Sequence, residues 1–220
     1  MNAPTINQLL QLTRVNQKDS TEVIKNWNLI VAALADKKIT SPANLIGVAA
    51  TVLVETGNTF EPVKERGNQA YFLKAYWDNV DIRNQLGNIV PSDSYDFCGR
   101  GFIQLTGRGN YHKASSSIGI DLLSNPDAAM QPKVSAALLS WYWLEKDLAS
   151  LCQKVDEIFG ASDNTLETGR AWMNVRRAVN GGLTGWPQFL FALTQLGGVH
   201  AFTTKQKSDK LPLVKSKVSS

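Results

Sequence analysis

A mainly α-helical globule is the fold class that this 220-residue chain predicts, on three observations. Apolar residues recur at three- and four-residue intervals along most of its length, and few stretches alternate as strands do. Residue types that cap helices punctuate the periodic runs. Composition agrees: 43% hydrophobic and 19% charged residues are those of an ordinary globular protein, and 220 residues bury one sizeable core. The expected organisation is a single domain over residues 1–204 and a tail over 205–220.

The elements follow in order. Ile6 to Leu12 forms a first short helix. Asp19-Ser20-Thr21-Glu22 supplies N-cap residues for a second, carrying Trp27, Ile30, Val31 and Leu34. Ser41-Pro42 opens a third, which runs through the apolar stretch Leu45 to Val54, ends at about Glu55 and stops at Gly57, where a left-handed conformation suits glycine. From Asn58 to Phe97 periodicity fades around Pro62, Pro91 and several Gly and Asn residues, except for a short aromatic-rich helix over Gln69 to Asp81. A long weakly periodic region in a compact domain is often functional. Helices resume over Asn125 to Lys146, Leu148 to Phe159, Thr165 to Val179 and Trp186 to Leu196, with Leu138, Leu139, Trp141, Tyr142 and Trp143 reading as helix core.

Several function classes are disfavoured. The ten apolar residues Leu45 to Val54 are half of what crosses a bilayer, so no membrane insertion is expected. Cys98, Cys152, His112 and His200 show no metal-ligand spacing, so neither a metal nor another cofactor is expected. A net charge of +4 and a pI near 9.0 favour an anionic partner. Aromatic and basic residues do not interleave as in nucleic-acid readers, which leaves a wall polymer ahead of nucleic acid. Five lysines against one aspartate from Lys205 to Ser220 make the tail basic. The first residues lack the charged start and apolar run of a secretory signal.

The chemistry concentrates in two segments, Val54-Glu55-Thr56-Gly57-Asn58 and Gly99-Arg100-Gly101-Phe102-Ile103-Gln104-Leu105-Thr106-Gly107. Glu55 follows nine apolar or small residues and ends a helix whose dipole is negative there. Both features favour a protonated carboxyl, as a general acid requires; the competing reading is a surface glutamate closing a core helix. Glu65, ten positions on, lies between Lys64 and Arg66, cations that keep a general base ionised. Two carboxylates flanking a sugar linkage are the minimal equipment for hydrolysing it, at a separation of ~6.5–9.5 Å in an inverting site. Glu61 competes with Glu65, although it needs a tighter return of the chain. In the glycine-rich segment Arg100, Gln104 and Thr106 line a candidate groove wall, Thr106 holding the attacking water and Gln104 bonding a sugar acetamido or hydroxyl group. Its spacing is not that of a phosphate loop. Tyr71, Phe72, Tyr76 and Trp77 carry faces that stack on sugar rings, or that simply pack the core. Asn180, in Asn180-Gly181-Gly182, is either a helix cap or a groove residue.

These residues resemble the family 19 glycoside hydrolases, especially their bacteriophage endolysin branch. Glu55-Thr56-Gly57 resembles the family's acid motif, and Lys64-Glu65-Arg66-Gly67 with Ala70-Tyr71-Phe72 the segment bearing its base. The most specific match is Gly99 through Gly107 continued by Arg108-Gly109-Asn110-Tyr111, followed in the expected order by Ile120 to Pro126 and Val179-Asn180-Gly181-Gly182. The resemblance implies a lysozyme-like fold of two helical lobes around a cleft, Glu55 as acid, Glu65 as base and Thr106 positioning water. It also implies substrate contacts at Gln104, Asn110 and Asn180, to which the residue reading adds Tyr71 and Arg100. Val54 stands where chitinases of the family usually have histidine, Asn58 replaces a glycine, and the cysteines of plant chitinases are absent.

The function expected is therefore that of a monomeric endolysin acting on peptidoglycan glycan strands as an inverting N-acetylmuramidase. It would collect in the host cytoplasm and reach the wall through a separate holin-type protein. A chitinase and a noncatalytic wall-binding protein are the alternatives.

Overall fold

The computed structural model describes residues 1–13, 20–161 and 165–199. The basic tail, His200 and Asp19, the first of the expected N-cap residues, lie outside them. Eleven α-helices run through the described residues: α1 (Ile6–Leu12), α2 (Ser20–Asp36), α3 (Pro42–Glu55), α4 (Gln69–Tyr76), α5 (Val80–Leu86), α6 (Asp93–Asp96), α7 (Arg108–Ile118), α8 (Pro132–Glu145), α9 (Leu148–Ala161), α10 (Thr165–Asn180) and α11 (Trp186–Gln195). Two short strands, β1 (Val63–Lys64) and β2 (Arg100–Gly101), pair antiparallel with Val63 opposite Gly101 and Lys64 opposite Arg100. No described helix is long and apolar enough to cross a membrane.

Helix α3 is the centre of the core. Ser41 caps it by accepting from the Asn44 amide, Pro42 starts it, and every residue from Ile46 to Leu53 is buried, against α9 and α11. Its end is set by Gly57, which takes the left-handed conformation the sequence predicts (φ +60°). Asn58 (φ 66°) and Phe60 (φ 59°) also have positive φ, a conformation that costs a bulky residue energy. Phe60 is held in it by Thr56 Oγ1, which accepts from its amide at 3.0 Å, and by Asn26, which donates to its carbonyl at 3.0 Å. Asn tolerates the left-handed region, which explains how Asn58 serves where a glycine was expected.

Three expectations are corrected. The helix over Asn125 to Lys146 is a 3₁₀ turn (Pro126–Met130) followed by α8, because Pro132 has no N–H to continue a helix and starts a new one. The helix over Gln69 to Asp81 ends at Tyr76, and Asn79 caps α5 by accepting from the amides of Asp81 and Ile82. Residues 58–97 are less irregular than their periodicity suggests, since they hold β1, α4, α5 and α6. Asp93 ties this region down, accepting from the amides of Ile89 (2.7 Å) and Val90 (3.1 Å) and pairing with Arg108 at 3.2 Å. Helix α7 escaped sequence reading because it is mostly polar and buries only Tyr111 and Ala114.

Candidate active site

Two constellations form around the two glutamates. Glu55 is the last residue of α3, and its Oε1 accepts a hydrogen bond of 2.8 Å from Nη1 of Arg176 on α10, 121 residues away. Arg176 is buried, with 3% of its side chain exposed against 19% for Glu55, and its Nε and Nη2 both donate to the Thr184 carbonyl, at 2.9 and 2.7 Å. Asn180 joins the same acceptor, donating to Thr184 O at 3.0 Å while its Oδ1 receives the Gly182 amide at 3.1 Å. Tyr142, on α8, donates to the Val179 carbonyl at 2.7 Å. Burial, and then the charge of Glu55, push its phenol up to about 12. The apolar setting expected for Glu55 is thus corrected: a helix end reached by apolar residues of its own meets a cation from elsewhere in the chain.

Glu65 follows β1. Its Oε1 receives the hydroxyls of Tyr71 (3.1 Å) and Tyr76 (2.8 Å), and its Oε2 lies 2.9 Å from the Tyr76 hydroxyl and receives the Gly99 amide at 3.1 Å. The Glu65 amide in turn donates to Gly99 O at 2.8 Å, so backbone and side chain are both fixed to the glycine-rich wall. Tyr71 is 48% exposed, and its phenol is raised by the hydrogen bond to Glu65 and by that carboxylate's charge. Burial, followed by the bond to Glu65, raises Tyr76 well above the ordinary tyrosine range.

Gly99 is the meeting point of the wall. A Cβ there would stand 2.8 Å from Gln104 Oε1, 3.2 Å from Glu65 Oε2 and 3.3 Å from Thr106 Oγ1, so three predicted site residues converge on a space that only glycine leaves open. The loop is shaped by Gly101 (φ +83°), where a Cβ would also meet Ser135 Oγ at 2.7 Å, and by Gln104 at φ 52°. Thr106 donates its hydroxyl to the Gln104 carbonyl at 2.9 Å, which leaves its oxygen as an acceptor.

The remaining predicted residues divide. Gln104 uses its amide N–H groups on the wall, donating to Val63 O (2.7 Å) and Gly101 O (3.0 Å), so a sugar would meet only its Oε1. Asn110 donates to the Thr106 carbonyl at 2.7 Å and holds that residue in place. Arg100 is turned away and is corrected as a substrate contact. It is buried, donates from Nε to Asp127 (2.7 Å) and from Nη1 to the Asp96 and Cys98 carbonyls (both 3.0 Å). Alternation along β1 sends Lys64 to Asp127 as well, at 3.0 Å, and Glu65 to the other side. A cavity of about 720 Å³ opens among Lys64, Asp93, Arg100, Arg108 and Asp127, whose charges pair with one another; neither Glu55 nor Glu65 lines it. Glu61 is exposed. Cys98 and Cys152 are both buried and free. No cluster of three metal-ligating side chains occurs among the described residues.

Residues 69–175 match the glycoside hydrolase family 19 model, described as chitinase class I. Over that stretch the chain is similar to glycoside hydrolase family 19. The acidic endochitinase of Petunia hybrida is 42% identical over 90 residues, covering 40% of this chain and 30% of that protein. The acidic 27 kDa endochitinase of Solanum lycopersicum is 44% identical over 62 residues, covering 28% and 22%. The chain thus aligns with less than a third of the length of these relatives. Chitinase C from Streptomyces griseus HUT6037 shares the fold, with a TM-score of 0.53 and 21% identity over 90% of this chain and 78% of that one. The family match takes in the glycine-rich wall through Asn110. Glu55 and Glu65 lie before it and Arg176 just after it, so these three stand on the geometry above. Arg176 is the residue the sequence left unassigned: a basic helix end carries no signal that it meets Glu55.

Proposed function

We propose that this protein hydrolyses β-1,4 glycosidic bonds of peptidoglycan, as an endolysin of the N-acetylmuramidase type, by single displacement with inversion. The observation that carries the hydrolytic reading is the arrangement about Gly99. A carboxylate held by two phenols and an amide stands beside a threonine hydroxyl whose proton is already committed to Gln104 O. A water donating one proton toward Glu65 and the other to Thr106 Oγ1 is oriented for attack, and Glu65 takes its proton as the bond to the anomeric carbon forms. Glu55 protonates the departing glycosidic oxygen, and the carboxylate left behind is stabilised by the guanidinium of Arg176. Asn110 sets the position of Thr106, Gln104 Oε1 faces the glycan with Tyr71, and Asn180 holds the turn after α10 through Thr184 and Gly182. The mechanism requires no cofactor.

Peptidoglycan is favoured over chitin by the basic charge of the chain and by Val54 and Asn58 at positions where the family's chitinases differ. Chitin hydrolysis is the second reading, supported by relatives named as endochitinases. In the endolysin reading the protein acts as a monomer and reaches the wall from the host cytoplasm with the help of a holin-type protein. The test is mass spectrometry with reducing-end analysis of purified peptidoglycan incubated with wild type, Glu55→Gln and Glu65→Gln. Hydrated products ending in reducing N-acetylmuramic acid, lost in both variants, are expected. Reducing N-acetylglucosamine ends would move the cleaved bond, and anhydro ends would replace hydrolysis by transglycosylation. Intact glycan, with turnover of soluble chitin oligomers, would establish the second reading.

A further inference from the structure

We infer that Tyr76 is a positioning residue for the general base: its hydroxyl holds the Glu65 carboxylate in one orientation toward the Gly99 wall. The inference rests on the reading of Glu65 as base. A carboxylate on a loop pivots about its last torsion, a broad two-fold rotor, unless donors fix its plane. Here the Tyr76 oxygen lies 2.8 and 2.9 Å from the two carboxylate oxygens, shared between them, while the Gly99 amide holds Oε2 at 3.1 Å from the wall side. The Tyr76 ring is itself fixed, stacked on buried Phe72 at 6.3 Å with 20° between planes, and its carbonyl accepts from Asn88 at 3.2 Å. Tyr71 contributes a second hydroxyl from an exposed ring, a contact that solvent replaces at little cost.

The titratable and charged groups around Glu65 are Tyr71 and Tyr76 from α4, Cys98 before β2, and its chain neighbours Lys64 and Arg66, with Arg100 behind Cys98. Lys64 is engaged by Asp127 on the far face. Tyr76 remains a neutral donor throughout the working range because burial, and then its bond to Glu65, raise its phenol. Loss of that hydroxyl frees the rotor, which lowers turnover without touching the sugar contacts.

The test is kcat and KM, measured separately, for wild type, Tyr76→Phe, Tyr71→Phe and Glu65→Gln on purified peptidoglycan, or on chitin oligomers if those are the substrate. In Tyr76→Phe kcat is expected to fall about tenfold with KM unchanged. Tyr71→Phe is expected to lower kcat less. Replacing Tyr76 with 3-fluorotyrosine, which keeps the hydroxyl, should retain most of kcat and settles the matter if the phenylalanine variant does not fold. A kcat unchanged in Tyr76→Phe, or lowered as much by 3-fluorotyrosine as by phenylalanine, would overturn the inference. Full activity of Glu65→Gln would instead refute the assignment of the base itself.

Discussion

Replacing Gly99 with alanine separates catalysis from stability at this site. The backbone at Gly99 is not in the left-handed region, so alanine adopts it without strain and stiffens the unfolded chain, a gain of about 0.4–1 kcal/mol. Against that, the new methyl would lie 2.8 Å from Gln104 Oε1, closer than carbon and oxygen normally approach, and the Gln104 amide must shift by a few tenths of an ångström. Gln104 is anchored through Nε2 at 2.7 and 3.0 Å, and weakening one such bond costs about 1 kcal/mol. The two terms nearly cancel, which places the thermal midpoint within about 4 °C of wild type. Catalysis has no such offset. The methyl stands 3.2 Å from Glu65 Oε2 and 3.3 Å from Thr106 Oγ1, and it excludes a water bridging base and hydroxyl from that side. Misplacing a reacting group by about 1 Å costs on the order of 10²-fold, so kcat on purified glycan should fall by about that factor. Calorimetry and initial rates on one preparation decide the matter. A variant with wild-type kcat would show that water does not use this space, and a loss of more than about 3 kcal/mol would show that the wall is not locally adjustable.

Two further perturbations test the electrostatics. Arg176→Met should destabilise the protein by about 3–5 kcal/mol in urea titrations, because it strips the cation from Glu55 and two donors from Thr184 O. Adding Glu55→Gln should recover part of that loss, and strict additivity would show that the pair is not coupled. Asp127 is held below the ordinary carboxylate range by hydrogen bonds from Arg100 and then Lys64. A depressed folded pKa contributes stability above the unfolded value of about 3.9 and loses it as pH falls through the folded one. The advantage of wild type over Asp127→Asn should therefore be present at neutral pH and vanish in melts at strongly acidic pH. Its size stays under about 1 kcal/mol because the Asp127 side chain is 65% exposed.

The sequence by itself determined the helical class, most helix limits, the end of α3 at Gly57 and the glycine-rich wall with Gln104 and Thr106. These are local properties: periodicity states which face of an element is buried, and a cap or a glycine acts within a turn of its position. Helix breaks that depend on a single proline, as at Pro132, or on a polar stretch such as Arg108–Ile118 are also local, but their signals are weak against the surrounding pattern. Only the tertiary structure decided the charge environment of the two glutamates. Apolar neighbours along α3 predict a carboxyl among hydrocarbon, yet Glu55 meets Arg176 from 121 residues away. Lys64, beside Glu65 in sequence, gives way in space to Tyr71, Tyr76 and the Gly99 amide, and it turns with Arg100 to Asp127 on the other face of the strand pair. Interactions between charges and hydrogen-bonding groups depend on distance in space, and that distance is set by how the elements pack rather than by their order along the chain.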